Sequence, residues 1–565
     1  SMLDLDQETL KKFKTLFNNK QYSSLEFQIE CLGNIKDQHP KVIMFYALSK
    51  TVNPTSKKDD LLEASHLYEK IYLMNKEKET RDPNYLDTIM NIIFISFKTM
   101  LFDRALPLAL DAFEDNPKNE KIIEGLALIN NNLFNYSEVI KYYKLLFEIN
   151  PSRTAGRTTF LACLNYVSGI TQEYYLDECL KHSKILEENL INEHVPVKSK
   201  NEIIKVAFLS SDFRKHSVSL FLKDLFLKAD RKIIKIFAIS TLHEIKHDTM
   251  TENIKNFVDQ WCDVFDKSDI EIIRLIKSLN IDVLIDLNGL TSGNKINVVK
   301  NRCAPIQISW LGYNNSTGIK NIDYLIADKN LIKKDEESLY SEKILFLPKI
   351  WSALSKPNDL PQINRLPKIT NSPFCYGSFN NFSKISEDVI DIWSEILRNS
   401  NSQIYLKNPR KHIPHTVKEN LIKKFLRKGV SKKKILFFDS EFDKNDHLAL
   451  YNKIDLALDT FPYTGVTTSF EAALMGVPVL TLAGFNFNSR CGESININLK
   501  MEDFIAKDKN DYINKAIYWQ HNLKILEKIK HNLRDEALSS PLFDTENFAN
   551  DFTSLIKNVY LKQFL

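Results

Sequence analysis

Glycine is scarce in this chain, at 14 of 565 residues, so each one marks a position where the backbone needs freedom or close approach. Cysteine is scarce too. The seven (Cys31, Cys163, Cys179, Cys262, Cys303, Cys375, Cys491) are odd in number, scattered and without a C-x-x-C pair. They read as reduced, mostly buried thiols of a cytosolic protein, which excludes a disulfide framework. No apolar run approaches the roughly 18 residues of a membrane span, and the opening SMLDLDQETLKKF carries no signal-peptide core. Ser1 ahead of Met2 reads as a cloning remnant. No charge sign dominates: the net charge is +4, so composition calls for neither a nucleic-acid nor a membrane partner. The lysine run Lys423–Lys434 reads as solvated surface. There is no Walker-A or G-x-G-x-x-G sequence, and no His, Cys and carboxylate cluster at metal-ligand spacing, so the expected metal set is none.

What is present is a globular chain, 43% hydrophobic and 26% charged, long enough for about three or four units of about 150 residues. Residues 2–195 read as helix, with apolar residues at three- and four-residue spacing. MLFDRALPLALDAFEDNP ends at Pro117 and LFNYSEVIKYYKLLFEINP at Pro151, 34 residues on, the period of tetratricopeptide repeats. That offset sets Phe102 on Tyr136, Ala105 on Val139, Leu106 on Ile140 and Phe113 on Phe147. A third copy, DDLLEASHLYEKIYLMN, lies upstream. The expectation is a short α-solenoid presenting a surface to a peptide or protein; an ordinary helical bundle is the plainer alternative.

From about Lys205 the texture changes to short β-rich runs: KVAFLSSDF, KIFAIS, IDVLIDLNG and IQISWLGY, with DIEIIRLIKSLN as an intervening helix. A proline-rich linker, 355–372, separates this part, 203–354, from a second strand–helix series over 373–565: FCYGSFN, SQIYLKN, KKILFFDS, KIDLALDTF and VPVLTLAG, with C-terminal helices expected to close it. Two parallel α/β lobes imply a cleft, with ligands at the carboxyl ends of the strands.

The segment DTFPYTGVTTSFEAALMGVPVLTL (459–482) concentrates the scarce glycines. A strand ends, PYTGVTT turns and a helix starts, so free amides beside Thr464, Gly465, Thr467 and Thr468 suit a phosphate. Thr and Ser are equally ordinary helix caps. Glu471, one turn in, can accept from sugar or ribose hydroxyls or simply complement the helix dipole. GSFNNFSKIS brings Asn381 and Lys384 to a strand end, where a lysine can meet a diphosphate. EFDKNDHLALY sets Lys444 and His447 at a helix start, within reach of a base or ribose. SSDFRKHSVSLFL puts Asp212 and His216 in a strand-to-helix turn.

Seven segments in order, VAFLSSDFRKHSVS, LIDLNGLTSG, APIQISWLGYNNSTG, IDYLIADK, YSEKILFLP, FNNFSKI and DLALDTFPYTGVTTSFEAALMGVPVLTLAG, resemble the catalytic region of the protein O-GlcNAc transferases over about 203–540. The upstream repeats match that family's arrangement. The resemblance implies a TPR-like α-solenoid followed by a GT-B glycosyltransferase of two Rossmann-like lobes. It implies metal-independent, inverting transfer of a sugar, GlcNAc first, from a UDP-sugar to Ser or Thr of a protein acceptor held along the repeats in the cytoplasm. By motif, Lys384 is similar to the lysine that neutralises the leaving diphosphate, with Asn381 nearby; Lys444 and His447 match uracil-binding residues. Thr467 and Thr468 match phosphate binders, and Glu471 stands at a ribose-binding Asp. His216 matches a histidine near the acceptor, and Leu311 and Gly312 lie at the sugar pocket. Asp212, His216, water or the substrate phosphate are candidate proton acceptors.

Three positions depart from the family: Val466 and Leu220 replace histidines, and Ser292 replaces a lysine, with Lys295 close by. They leave open a UDP-hexose donor or an N-linked product. A catalytically degenerate TPR scaffold and a two-lobed UDP-sugar epimerase are readings of other classes.

Overall fold

A computed structural model describes residues 6–77, 85–191, 195, 199–370, 373–409, 412–438 and 444–565, with the backbone alone at 370, 444 and 445. The chain forms two compact units, Ser1–Arg153 with His412–Leu421, and Thr154–Lys411 with Ile422–Leu565.

The first unit contains helix pairs Gln7–Asn18 and Tyr22–Glu30, Pro40–Val52 and Lys58–Lys76, Tyr85–Thr99 and Phe102–Asp115, and Glu120–Asn132 and Tyr136–Ile149. The 34-residue offset is visible in the backbone. Met100 and Phe134 both sit at φ 61°, immediately before the paired helices that Phe102 and Tyr136 open. Phe102, Ala105, Val139 and Ile140 are buried, as the offset predicts. Phe113 meets Tyr142 edge to face at 5.6 Å, which links one repeat to the next.

In the second unit a seven-stranded sheet comes first: β1 Ile204–Ser210, β2 Ile234–Ser240, β3 Gln260–Asp263, β4 Val283–Asp286, β5 Ile306–Ser309, β6 Tyr324–Asp328 and β7 Lys343–Leu347. Its order is β3-β2-β1-β4-β5-β6-β7, parallel throughout, with Ile204 opposite Ile234 and Val206 opposite Val283. The second sheet is β8 Phe374–Ser378, β9 Ser402–Leu406, β10 Ile435–Phe437, β11 Leu456–Leu458, β12 Val479–Leu482 and β13 Ile505–Ala506, ordered β10-β9-β8-β11-β12-β13 and also parallel. Helices cover both faces, which is why strands such as VLID and FCYGS are buried along their whole length. Four strands, β3, β6, β7 and β13, were not legible as separate runs; β3 (QWCD) is short and half polar.

The C-terminal helices divide their allegiance. Lys509–Tyr518 packs on β12 and β13, and Leu523–Leu538 packs on the helix Thr467–Leu474. Thr545–Lys562 instead departs from the expectation that it closes the second lobe. Its stripe Phe548, Phe552, Ile556 and Val559 completes the core beneath β1, β4 and β5, with Phe552 4.7 Å from Trp310. A stripe at helical spacing buries itself wherever a groove of matching width is open, and that groove is on the first lobe. The helices Arg157–Leu164 and Gln172–Glu187 fold with this second unit, because their Asn165, Gln172 and Tyr175 are buried among its strand-end loops.

Candidate functional site

The polar residues gather where β8, β9 and β11 end. Asp459 follows β11 and is buried, yet no partner is missing. Its Oδ1 accepts from the Gly465 amide (2.8 Å), the Thr460 amide (3.0 Å) and Asn380 Nδ2 (3.2 Å), and its Oδ2 from Thr481 Oγ1 (2.7 Å). These bonds fold residues 459–465 back over the strand end. Burial pushes the Asp459 carboxyl up to about 6 despite those donors and nearby Lys384. Gly465 is required because a Cβ there would come 2.4 Å from Asn380 Oδ1 and 2.7 Å from Thr468 Oγ1. Thr468 Oγ1 donates to Asn380 Oδ1, so Asn380 ties the end of β8 to the first turn of the helix Thr467–Leu474. The first internal bonds of that helix run from the Ser469 and Phe470 amides to the Val466 carbonyl. The Thr467 and Thr468 amides precede them, as a helix N-terminus requires.

Lys384 reaches this turn from the single 3-10 turn Phe382–Lys384. Its Nζ stands 4.5 Å from the centre of the Tyr463 ring and donates to the Thr464 carbonyl at 3.3 Å. Asn381 caps that turn, accepting from the Ser383 amide (3.2 Å). Thr464 turns its hydroxyl inward, donating to the Asn488 carbonyl (3.2 Å) and accepting from the Gly492 amide (3.3 Å). A second cluster stands beside the first: Lys407, directly after β9, donates to His447 Nδ1, and His447 Nε2 meets Glu471 Oε2 at 2.8 Å. Burial lowers the Lys407 ammonium and the Glu471 carboxylate opposes that shift. Lys444 begins the helix Lys444–Ala449, and its side chain lies outside the described residues.

In the first lobe His216 caps the helix Ser217–Lys228, its Nδ1 accepting from the Val218 amide at 3.1 Å. The neutral ring therefore carries its proton on Nε2, which is 4.0 Å from Asp212 Oδ1. Leu311 sits at φ 77° with the Gly312 amide bonded to the Trp310 carbonyl (3.0 Å), a γ-turn that a branched residue adopts only under constraint. A Cβ on Gly312 would lie 1.6 Å from the Leu287 carbonyl oxygen, so the strand ends of β4 and β5 touch there. Leu311, Leu220 and Val466 all pack against one apolar cluster shared by the two lobes, in which Phe221 meets Phe470 at 5.2 Å.

Sequence reasoning had Thr464, Gly465, Thr467, Thr468 and Glu471 on one turn and its helix, Asn381 and Lys384 at another strand end, and Lys444 and His447 at a helix start; the bond from Lys384 to Thr464 and the pairing of His447 with Glu471 are found in the fold. It missed Asp459, Asn380, Lys407 and Tyr463. The signal was there: Asp459 and Lys407 directly follow an apolar strand and Asn380 stands two residues past one, where no core position needs a polar side chain. Among the described residues no group of three or more His, Cys, Asp or Glu side chains stands together as a metal site, and none of the helices is long and apolar enough to cross a membrane.

Two Rossmann-like lobes built on parallel sheets, with polar turns at the carboxyl ends of their strands, are the GT-B architecture of sugar-transferring enzymes. The chain belongs to glycosyl transferase family 41, whose model matches residues 168–365 and 362–552. The probable UDP-N-acetylglucosamine–peptide N-acetylglucosaminyltransferase SPINDLY of Oryza sativa subsp. japonica is 28% identical over 74% of this chain and 46% of that protein. The probable UDP-N-acetylglucosamine–peptide N-acetylglucosaminyltransferase SEC of Arabidopsis thaliana is 27% identical over 60% of this chain and 35% of its own length. The chain spans about half the length or less of these curated relatives. Among solved structures, an O-GlcNAc transferase mutant of Thermobaculum terrenum superposes with a TM-score of 0.78 at 22% identity, over 93% of this chain and 98% of that one, a likeness of fold.

Proposed function

We propose that this chain is a protein glycosyltransferase that takes a sugar, N-acetylglucosamine by the names of its relatives, from a UDP-sugar and places it on a Ser or Thr hydroxyl of a protein. The observation that carries this reading is the ammonium of Lys384 held at the mouth of the Asp459–Gly465 turn, beside the open amides of the helix Thr467–Leu474. When the bond between the anomeric carbon and the diphosphate breaks, negative charge grows on the β-phosphate. Lysine and amide donors already in place there lower the barrier without a metal ion. The acceptor oxygen attacks the anomeric carbon from the opposite face as UDP leaves with the bonding pair, which inverts that centre. The hydroxyl proton passes to a base. The tautomer that caps the helix leaves His216 with a donor, not a lone pair, at Nε2, which favours an orienting role for it and leaves Asp212, water or the donor phosphate to take the proton.

Glu471 and the His447 paired with it lie one helical turn beyond the phosphate turn, the distance at which a ribose and base follow a diphosphate. The helix pairs of the first unit suit an extended peptide acceptor. Seven free thiols support a reducing compartment, the cytoplasm.

The test is calorimetric titration with UDP, ADP and GDP, repeated for UDP on Lys384→Ala. The expected result is selective UDP binding near micromolar, about −8 kcal/mol, weakened at least tenfold in the variant. No preference for UDP, or none of the three bound, overturns the assignment of the second lobe.

A further inference from the structure

The hairpin formed by Arg157–Leu164 and Gln172–Glu187 is built into both lobes through a buried polar network. Asn165 Nδ2 donates to the Tyr313 hydroxyl (2.9 Å), and its Oδ1 accepts from Asn315 Nδ2 (2.8 Å), both in the first lobe. The Tyr175 hydroxyl bonds that of Tyr313 (2.6 Å) and donates to the Ser316 carbonyl (2.6 Å). Gln172 joins the two lobes: its Nε2 donates to Asn315 Oδ1 (2.8 Å), and its Oε1 accepts from Asn486 Nδ2 (3.0 Å) of the second lobe. Asn165, Gln172, Tyr175, Asn315 and Asn486 are all buried, so moving the hairpin would orphan several polar groups at once. The hairpin is therefore tied to both lobes through buried polar partners.

Tyr166 lies on the turn of the hairpin, its amide bonded to the Cys163 carbonyl (3.1 Å). Its ring is 4.6 Å from that of Tyr463, the planes 31° apart. Tyr463 is the ring over which Lys384 Nζ rests at 4.5 Å. A lysine ends in a compact charge on four rotatable bonds, so its usefulness at one phosphate oxygen depends on what restrains it. Here the restraints on Lys384 include one aromatic face and one carbonyl, both belonging to the 463–464 turn, and that face is braced from outside the second lobe.

We propose that Tyr166 is a positioning residue for Lys384, acting through Tyr463, so that the last helical hairpin before the first lobe is a working part of the nucleotide site. The proposal rests on the reading of the Asp459–Gly465 turn as a diphosphate site. A hairpin that only staples the lobes together would give the same contacts at Asn165 and Gln172 but would leave the lysine indifferent to Tyr166.

The experiment is a double-mutant cycle read by UDP titration of wild type, Tyr166→Ala, Lys384→Ala and the double variant, each with its melting temperature. Tyr166→Ala is expected to weaken UDP binding about tenfold, and the double variant to bind no more weakly than Lys384→Ala alone, because the tyrosine acts through that lysine. Equal losses in both backgrounds, or no loss on the wild-type background, overturn the proposal. Where Tyr166→Ala melts too low to titrate, Tyr166→Leu, which keeps an apolar side chain on the turn, decides by the same comparison. Wild type that fails to bind UDP overturns the site assignment itself. Binding that depends on Lys384 but not on Tyr166 overturns only the role of the hairpin.

Discussion

Replacing Asp459 by Asn should leave the turn standing and remove a pH-dependent cost. Three donors converge on Oδ1, the amides of Gly465 and Thr460 and the Asn380 side chain, and an Asn oxygen can keep all three. Among the described residues Thr481 is the donor to Oδ2, and its hydroxyl can turn to accept from the new amide group. The charge is what changes. Burial holds the carboxyl at about 6 against an ordinary 3.8, so ionising it in the folded protein costs about 3 kcal/mol more than in the unfolded chain. For an acid raised on folding, the stabilising contribution is complete below 3.8 and is lost as the pH rises through about 6. The stability of wild type relative to Asp459→Asn should therefore fall by about 3 kcal/mol from below pH 4 to above pH 6.5, roughly 1 kcal/mol of it between pH 5 and pH 7, and then stay level. Urea unfolding of the two proteins in parallel at pH 5, 6 and 7 reads that difference while the other buried acids cancel. A difference that is flat or rises with pH would refute the reasoning, as would a variant more than about 2 kcal/mol less stable at pH 7, which is the cost of a buried donor left without its acceptor.

Gly465→Ala should fold and lose at least tenfold in UDP affinity, because its methyl would press on Asn380 Oδ1 and Thr468 Oγ1 and open the turn; calorimetry with unchanged affinity would contradict this. Phe552→Ala should destabilise the first lobe by about 3–5 kcal/mol, since the ring is fully buried against Trp310 and Phe208. Urea unfolding measures it, and a loss below about 1 kcal/mol would mean that the C-terminal helix is not part of that core.

How much of this was readable in advance follows from where the information sits. The 34-residue repeat is a local pattern, so the offset from Phe102 to Tyr136 foretold matched helix starts, and the structure adds paired φ values at Met100 and Phe134. The long apolar strands declared themselves in the same way, and the turn after β11 stood out because glycine is rare elsewhere. What escaped were properties of assembly. Nothing in TENFANDFTSLIKNVYLK says which lobe its stripe will bury against. Nothing in NYVSGITQ says that Asn165 and Gln172 will find partners more than 140 residues away. Asp459 opens the 459–482 segment, but its partner Asn380 lies far off in sequence, so nothing local marks it as the acceptor that folds the turn. Lys407 was hidden for the same reason.

Both lobes solve one problem in one way. A parallel strand that ends at a working cleft must turn sharply while its last amides lose their sheet partners. Asp286 ends β4 and accepts from the amides of Asn288 (3.2 Å) and Gly289 (3.1 Å), just as Asp459 after β11 accepts from Thr460 and Gly465. Asp328 ends β6 and accepts from the amides of Asn330 (2.9 Å) and Trp351 (3.0 Å) and from Ser494 Oγ (2.7 Å) of the other lobe. Burial pushes each of the three up to about 6, so each ionises at neutral pH only against a cost. At Asp286 and Asp328 the amides fall on both oxygens, so a carboxamide there would lose one of them, whereas both amides at Asp459 fall on Oδ1 alone. Each of these acids therefore stands in surroundings unfavourable to charge at a strand end where the backbone turns. Lys384 donates to the carbonyl of Thr464, on the turn that the last of these acids builds.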